Sequence, residues 1–261
     1  MGPQITLAAS MPVHSLAAMT WRAVRALPAD ETVAIVPTGA IEAHGPHLPL
    51  GTDIVIAEAM ARAGAHRLAA HGLHVLVLPA LPFAPAPFAA AFAGTINTPA
   101  NSTTHIVTAI VRSLASHGIR MTAIANAHHD PAHVDAIRAV VSAVAEERSA
   151  TLVFPDLTRR RWAERLTDEF RSGACHAGRY EGSIVLAERP DAVDTATMRS
   201  LAPNPTSLVD AIRNERKTFA EAGGVDAYFG FPADASAEEG RQIIDALGAI
   251  LEDAVMEARR K

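Results

Sequence analysis

The residues most able to do chemistry begin with a short segment rich in acids and histidines, IEAHGPHLPLGTD at residues 41–53. Glu42 and His44 are two residues apart, and in an extended chain such residues point to the same side, so both can reach one cation. Asp53 ends the segment at the start of a predicted helix, where a carboxylate is also a common cap. Nitrogen and oxygen ligands of this kind favour Zn²⁺, Mn²⁺ or Fe²⁺ over Ca²⁺.

Two later segments carry similar side chains. NAHHDPAH offers His128 as a further nitrogen ligand, and HAGRYEGS offers His176 and Glu181. Asp130 or Glu181 could complete the metal shell or act as the general base. Because each of the three segments places a histidine beside an acid, the pattern favours a metal site over isolated caps and loop histidines.

The other histidines of the chain have weaker claims to a role. His47 and His129, together with Tyr180, are interpreted as walls of the substrate pocket or as partners of the ligands. Pro131 separates His129 from His133, so we expect no ligand pair on one helix face, and His133 is predicted to lie on the surface of an early helical turn. Six further histidines have no acidic company and are assigned no role: His14, His66, His71, His74, His105 and His117.

These side chains need a scaffold, and the chain alternates short apolar runs with amphipathic stretches. Strands are predicted at 32–37, 74–78, 121–125 and 151–154. Helices are predicted at 15–27, 53–68, 101–117 with Asn101 as N-cap, 133–147, 162–170, 181–188, 207–222 and 236–259. The alternation indicates an α/β fold with a mostly parallel sheet flanked by helices on both faces. Active sites in such sheets lie beyond the carboxyl ends of the strands, which is where the polar segments fall.

The composition is that of one globular domain covering residues 1–261. Apolar residues make up 49% of the chain and charged residues 20%, and no repeat or linker divides it. The net charge of −5 argues against nucleic acid as a partner. The single cysteine, Cys175, excludes an internal disulfide, and beside His176 it is interpreted as structural rather than nucleophilic.

The sequence also argues against a membrane protein. The most apolar run, residues 75–94, contains Pro79, Pro82, Pro85 and Pro87, which break a membrane helix. No targeting segment is evident in the first residues of the chain. We therefore expect a cytoplasmic protein without a membrane partner.

The polar segments resemble those of the creatininase family, the creatinine amidohydrolase-like proteins. The matching strings are PTGAIEAHGPHLPLGTD, AGTINTP, NAHHDPAHVDAI, HAGRYEGSIVLAERPDAV and GFPADASAEEG. They spread over roughly residues 30 to 245, and the first is the most specific. The resemblance implies an α/β fold with two divalent metal ions, usually Zn²⁺ or Mn²⁺, often in a homohexamer that hydrolyses amide C–N bonds.

The same resemblance implies roles for individual residues. Glu42 and His128 would hold one cation and His44 the second, with Asp53 bridging the two. Asp130 stands where creatininase has a glutamate that binds metal and takes part in catalysis.

Two further residues match the third motif of the family. His176 corresponds to its catalytic histidine. Glu181 corresponds to a possible ligand in members whose second motif lacks an acid. The choice between Asp130 and Glu181, as ligand and as base, stays open at this point.

The resulting hypothesis is a metal-dependent hydrolase that cleaves an amide C–N bond of a small molecule with a water activated between two cations. The substrate would be a cyclic amide or lactam, a creatinine-like ring or a formamide. Departures from the family pattern, such as Asp130 for glutamate and Gly182 for threonine, leave the choice among these open. The alternatives are a metal-dependent lactonase or isomerase, and a non-catalytic descendant that binds a small ligand.

Overall fold

The structure is a computed structural model that describes residues 11–260. Most of the N-terminal stretch searched for a targeting segment lies outside the described residues. Within them, five strands form one sheet: β1 (Val13–Ser15), β2 (Thr32–Thr38), β3 (His74–Val77), β4 (Met121–Asn126) and β5 (Thr151–Val153). Their order is β1-β3-β2-β4-β5, and every neighbouring pair is parallel. The predicted α/β class is therefore confirmed.

Helices connect and cover these strands. The α-helices described are α1 (Trp21–Arg25), α2 (Thr52–Ala70), α3 (Ala100–Ser116), α4 (Pro131–Glu147), α5 (Arg160–Ala163), α6 (Asp168–Ser172), α7 (Arg179–Glu188), α8 (Thr195–Ser200), α9 (Leu208–Arg213) and α10 (Ala237–Arg259). Among the described residues, no helix has the length and apolar character needed to cross a membrane.

Both faces of the sheet are covered, and the central strand β2 shows why. Its side chains alternate between the faces, as the pleat requires. Val33 and Ile35 join a cluster with residues of α2, α7 and α10, whereas Val36 packs with α3 and α4. Every residue of β2 is buried, which accounts for its unbroken apolar run.

The crossover pattern of the chain creates a crevice at one edge of the sheet. Helix α2, which follows β2, packs on one face, and α4, which follows β4, packs on the other. The two strands are neighbours and end side by side, with Thr38 paired to Asn126. Such a switch point is where ligand sites form in open parallel sheets, and both of the first two polar segments start there.

Two predicted helices are wrong in extent. The helix predicted at 162–170 is divided, because the Thr167 side chain accepts a hydrogen bond from the backbone of Phe170 and starts a new helix, α6. The helix predicted at 207–222 ends after α9, because Glu215 has a positive φ of 62° that a right-handed helix does not accommodate.

The N-terminal elements also differ from the prediction. The stretch 15–27 holds the end of β1, a 3₁₀ turn at Leu16–Ala18 and the short α1. Strand β1 was not predicted, since it has three residues and lies at the sheet edge. Asn101 is not the N-cap of α3, because the helix already begins at Ala100 after Pro99.

Candidate metal centre

Five buried side chains from distant segments meet at the crevice. Glu42 and His44 lie in the loop after β2, and Asp53 lies in the first turn of α2. His128 lies in the loop after β4, and Glu181 lies in the first turn of α7. None of the five is more than 4% exposed to solvent. Buried charges that lie this close together cost free energy unless they are paired or bind a metal ion.

Asp53 occupies the centre of the cluster and contacts both histidines. Its Oδ1 lies 3.2 Å from Nε2 of His44, and its Oδ2 lies 3.0 Å from Nδ1 of His128. The Ala40 backbone N–H also donates to Oδ2. Asp53 does not cap its helix, and the close approach needs a glycine at position 39, since a Cβ there would lie 2.7 Å from the Cβ of Asp53. One carboxylate thus faces two ligand groups.

Each of the two ligand groups around Asp53 consists of Asp53, one histidine and one glutamate. Oε1 of Glu42 lies 3.2 Å from Nδ1 of His128, and together with Asp53 they form the first group. Oε2 of Glu181 lies 3.5 Å from Nε2 of His44, and together with Asp53 they form the second. Within each group the three ligand atoms lie within 4.8 Å of one another. Both sets can hold a divalent cation.

Backbone carbonyls orient the two histidine rings. Nδ1 of His44 lies 3.0 Å from the carbonyl oxygen of Glu42, and Nε2 of His128 lies 2.7 Å from that of Pro85. Since a carbonyl only accepts, these nitrogens carry a hydrogen, so the opposite nitrogen of each ring faces the carboxylates and would offer its lone pair to a cation that displaces its proton. This is the tautomer that a metal ligand needs.

Burial and the neighbouring charges shift the pKa values of the cluster in opposite directions. Burial disfavours charge on every member, yet the neighbouring acids, Asp53 first, raise the pKa of His44 to about 10. Against the same burial, His128 holds the pKa of Glu42 below its usual value, and His44 with His128 holds that of Asp53 well below. Burial raises the pKa of Glu181 to about 8.

One atom tests whether the cluster fits a metal. Nε2 of His44 is fully buried and makes no hydrogen bond, although oxygens of Asp53 and Glu181 lie within 3.5 Å. An orphaned nitrogen among carboxylates costs free energy unless a cation completes its contacts. Imidazole and carboxylate donors match the preferences of Zn²⁺, Mn²⁺ and Fe²⁺. The residues present therefore fit divalent metal ions.

His176 borders the cluster on the cavity side. Its ring centroid lies 4.4 Å from that of His44, and its Nδ1 lies 4.0 Å from Oε1 of Glu42. Its Nε2 lies 3.0 Å from the carbonyl oxygen of Ala43 and donates to it. Burial and the neighbouring His44 lower the pKa of His176 to about 4, so the ring is neutral at pH 7.

Asp130 lies near the cluster but belongs to none of the three groups of candidate ligand atoms found among the described residues, the third of which joins His176 to Glu42 and His44. Its Oδ1 accepts a hydrogen bond from the backbone of Ala132 and caps α4, while its Oδ2 has no partner. The side chain lines the cavity beside the cluster, and burial raises its pKa. The structure thus brings Glu181, rather than Asp130, among the candidate ligands.

The three predicted pocket walls are placed differently. His129 lines the cavity, with its ring edge on Phe170 and its Nε2 unpartnered. His47 is buried against Tyr228 and does not line the cavity. Tyr180 is 1% exposed and packs on Phe170 in the core, since it precedes Glu181 on α7 and so points about 100° away from it.

The surface placement predicted for His133 is wrong. It is 2% exposed, and its Nε2 lies 2.9 Å from Oδ1 of Asn126. That oxygen also accepts from the hydroxyl of Thr38, and the Asn126 amide donates to the carbonyl oxygen of His128. The network holds the loop that carries His128. A signal existed, because His133 shares the four-residue spacing of the inward-facing Ile137 on α4.

Glu169 is a second residue that the sequence did not reveal. It is 3% exposed, and its carboxylate accepts backbone N–H bonds from Arg179 and Tyr180, at 2.9 and 2.6 Å, and from Phe231 at 2.8 Å. It therefore caps α7, whose N-cap Gly178 offers no side chain. The partners are distant in sequence, so no local motif announces this role.

The cavity over the cluster is lined by two unlike sets of residues. One set is the acids and histidines described above. The lining also includes four large apolar side chains, Phe88 and Phe219 together with Leu208 and Ile212 of α9. We call these four side chains the apolar wall.

This fold and this cluster define a class of protein, the α/β enzymes that carry metal-binding residues at the carboxyl edge of a parallel sheet. The chain belongs within that class to the creatininase family, since the family model for creatinine amidohydrolase matches residues 17–255. The resemblance found in the sequence motifs is confirmed.

Individual relatives agree with this placement. The mycofactocin precursor peptide peptidase of Mycobacterium tuberculosis is 33% identical over 229 residues, which cover 85% of this chain and 83% of that protein. The creatinine amidohydrolase of Pseudomonas putida is 28% identical over 193 residues, covering 67% and 72%. A solved manganese form of creatininase shares the fold with a TM-score of 0.69 and 23% identity, over 96% of this chain and all of that chain.

Proposed function

We propose that the protein is a dinuclear metal-dependent amidohydrolase that cleaves an amide C–N bond of a small molecule. The observation that carries the proposal is the position of Asp53, whose two oxygens face the ligand nitrogens of His44 and His128. Membership of the creatininase family supports the reaction class. The ligand types and the manganese of a solved family structure favour Mn²⁺ or Zn²⁺, and Fe²⁺ also suits these donors.

Each side chain has a part in this proposal. Glu42 and His128 would hold one cation, His44 and Glu181 the other, and Asp53 both. Two bound cations would lower the pKa of a water molecule towards neutrality and polarise the amide carbonyl.

Proton transfer falls to Asp130, which lies outside the ligand groups, and to His176, which borders Glu42 and His44. Asp130 has an unpartnered Oδ2 at the cavity and a pKa raised by burial, which makes it a better base than an ordinary aspartate. Nδ1 of His176 carries no hydrogen and lies near the cluster, so it can accept a proton released from the water and then pass that proton to the leaving nitrogen.

The test compares the metal content and activity of wild type and His128→Ala. Wild type should hold two metal ions per chain by elemental analysis and hydrolyse at least one compound in a panel of cyclic ureas, lactams and formamides. His128→Ala should lose metal and more than about a hundredfold in activity, since ligand losses exceed the 10–100-fold typical of outer partners. The exposed His105→Ala on α3 is the control. Full activity in metal-stripped His128→Ala would contradict the proposal.

A peptide substrate is a second candidate, because the Mycobacterium tuberculosis relative is named a peptidase. Short peptides therefore belong in the same panel. Hydrolysis of lactones or isomerisation would identify a different reaction at the same metals. Two bound metal ions without any turnover would instead favour the ligand-binding descendant.

We further propose a cytoplasmic homo-oligomer, with a hexamer expected from the family resemblance. Large apolar side chains on the surface support association. Phe83 and Ile96 are 53% and 45% exposed, beside the bridge that joins Ala84 to Asn97. Exposed apolar groups of this kind are usual at contacts between subunits.

A further inference from the structure

We propose that the substrate carries an uncharged, apolar substituent beside its scissile amide and that the apolar wall binds this substituent. The inference rests on the proposed function, because it assumes that the amide lies at the metal cluster. It goes further by naming the chemical class of the group next to that amide. Four residues determine the preference: Phe88, Leu208, Ile212 and Phe219.

The apolar wall is in contact with His176, the candidate catalytic histidine. The ring centroid of Phe219 lies 4.3 Å from that of His176 and 5.9 Å from that of Phe88. Phe219 also packs on Phe229 at 5.8 Å and is only 3% exposed, so its ring is held in place. A group attached to an amide at the cluster would meet these rings.

Helix α9 supplies the rest of the wall. Leu208 and Ile212 are four residues apart, so they share one face of the helix, and both line the cavity. They are half-buried, whereas Val209 between them in sequence is 44% exposed and does not line the cavity. The helix therefore presents apolar surface to the cavity that no other described part of the chain covers completely.

The charges that line the cavity also favour an uncharged substituent. Of the described residues that line it, none is Arg or Lys, while four are acids: Glu42, Asp53, Asp130 and Glu181. The four negative charges would offset those of two divalent cations. No fixed cation remains for a substrate carboxylate, and placing any charge against the apolar wall costs desolvation free energy.

Hydroxamic acids test the inference by binding rather than by turnover, since the hydroxamate chelates metal and its substituent enters the cavity. Three probes differ in charge: phenylacetohydroxamic acid, succinic monohydroxamic acid and β-alanine hydroxamic acid. On the Mn²⁺-loaded protein, calorimetric titration should give a Kd for the phenyl probe at least about tenfold lower than for either charged probe, consistent with the burial of an aromatic ring.

Variants on α9 connect the preference to the wall. Ile212→Arg should remove the preference for the phenyl probe and favour the succinic probe, because it supplies the missing cation. Leu208→Arg should act in the same direction and serves as a second variant. Val209→Arg, the same change on the exposed side of α9, should keep wild-type preference. Metal content is measured in each variant, so that loss of metal is not mistaken for loss of selectivity.

The outcomes separate this inference from the proposed function. A metal-loaded protein that binds the charged probes as tightly as the phenyl probe contradicts the inference alone. An Ile212→Arg or Leu208→Arg protein that keeps both metal and wild-type preference also contradicts it. A wild-type protein that takes up no metal and binds no hydroxamate contradicts the proposed function, and the inference with it.

Discussion

Asp53 shows at the scale of one residue how a side chain can be interpreted in two ways. From the sequence it is either a helix cap or a ligand, because both roles place a carboxylate at the start of a helix. The structure separates them: the N-cap position belongs to Gly51, and the oxygens of Asp53 face His44 and His128. The contacts across the crevice favour the ligand role.

Replacement of Asp53 tests whether one carboxylate serves both groups. Asp53→Asn keeps the shape but removes the charge, so we expect both cations to be lost by elemental analysis. Glu181→Gln affects one group only and should leave one cation bound. Retention of two metal ions by Asp53→Asn would exclude the bridging role. Loss of both ions in each variant would mean that the two groups bind metal only together.

The sequence predicted the candidate site better than its supporting network. Glu42, His44 and His128 stand in short motifs next to strand ends, so spacing alone predicts a shared location. The same spacing cannot reveal Glu169, because its N–H partners lie 10, 11 and 62 residues away. His133 was predicted at the surface because its proline-containing turn obscured the helix phase. Contacts made only in the fold account for both omissions.

At the scale of elements, helix α7 is capped by a side chain from another helix. Its first turn holds Glu181, and its N–H groups bond to Glu169 of α6. The carboxylate also ties in the backbone of Phe231 and so joins three segments at the edge of the site. A displaced α7 would move a candidate ligand.

Removal of this carboxylate should destabilise the protein. In Glu169→Gln the amide nitrogen faces backbone donors and cannot accept from them, so at least one buried N–H is left unpaired. We expect a loss of about 1–3 kcal/mol in the free energy of unfolding, measured in urea. Glu164→Gln is the matched control, because Glu164 is exposed and pairs only with Arg160, and its effect should stay within about 0.5 kcal/mol. Equal free energies for both variants would contradict the capping role.

The main strands were predicted closely, whereas several helix ends were not. β2, β3 and β4 match their predictions to within one residue because each is an apolar run bounded by turn residues. α9 ends early because Glu215 takes a left-handed conformation, which its residue type does not announce. Edge strand β1 is too short to show a pattern.

At the scale of the whole molecule, the cluster lies where the sheet, α2 and α7 meet. The protonation of its side chains therefore affects the stability of the whole fold. Without metal, the acids raise the pKa of His44 to about 10, and burial raises that of Glu181 to about 8. The pKa values of His47, His129 and His176 are lowered to about 4, which acts in the opposite direction, but above pH 6.5 these residues become neutral in the unfolded chain as well, so the folded metal-free protein holds more protons than the unfolded chain. Its stability must fall as the pH rises.

Metal removal makes this dependence measurable. Chelator-treated protein should show a thermal midpoint that decreases from pH 6.5 to 8.5, because the charge on His44 and the neutral form of Glu181 are favoured only in the folded state. Protein saturated with Mn²⁺ should be more stable throughout and should not show the decrease, since the cation takes the place of the protons. A parallel decrease in both samples would contradict this account.

The outer nitrogens of His44 and His128 both donate to main-chain carbonyls, those of Glu42 and Pro85. The orientation of each ring is therefore set by a hydrogen bond to the backbone and not by one to a neighbouring side chain. Leu208 and Ile212 of the apolar wall lie on α9, away from both of these carbonyls, so substitutions there need not turn either ring. If the apolar wall binds substrate as proposed, relatives of this protein can differ in substrate through changes in the wall and still keep the same candidate metal ligands.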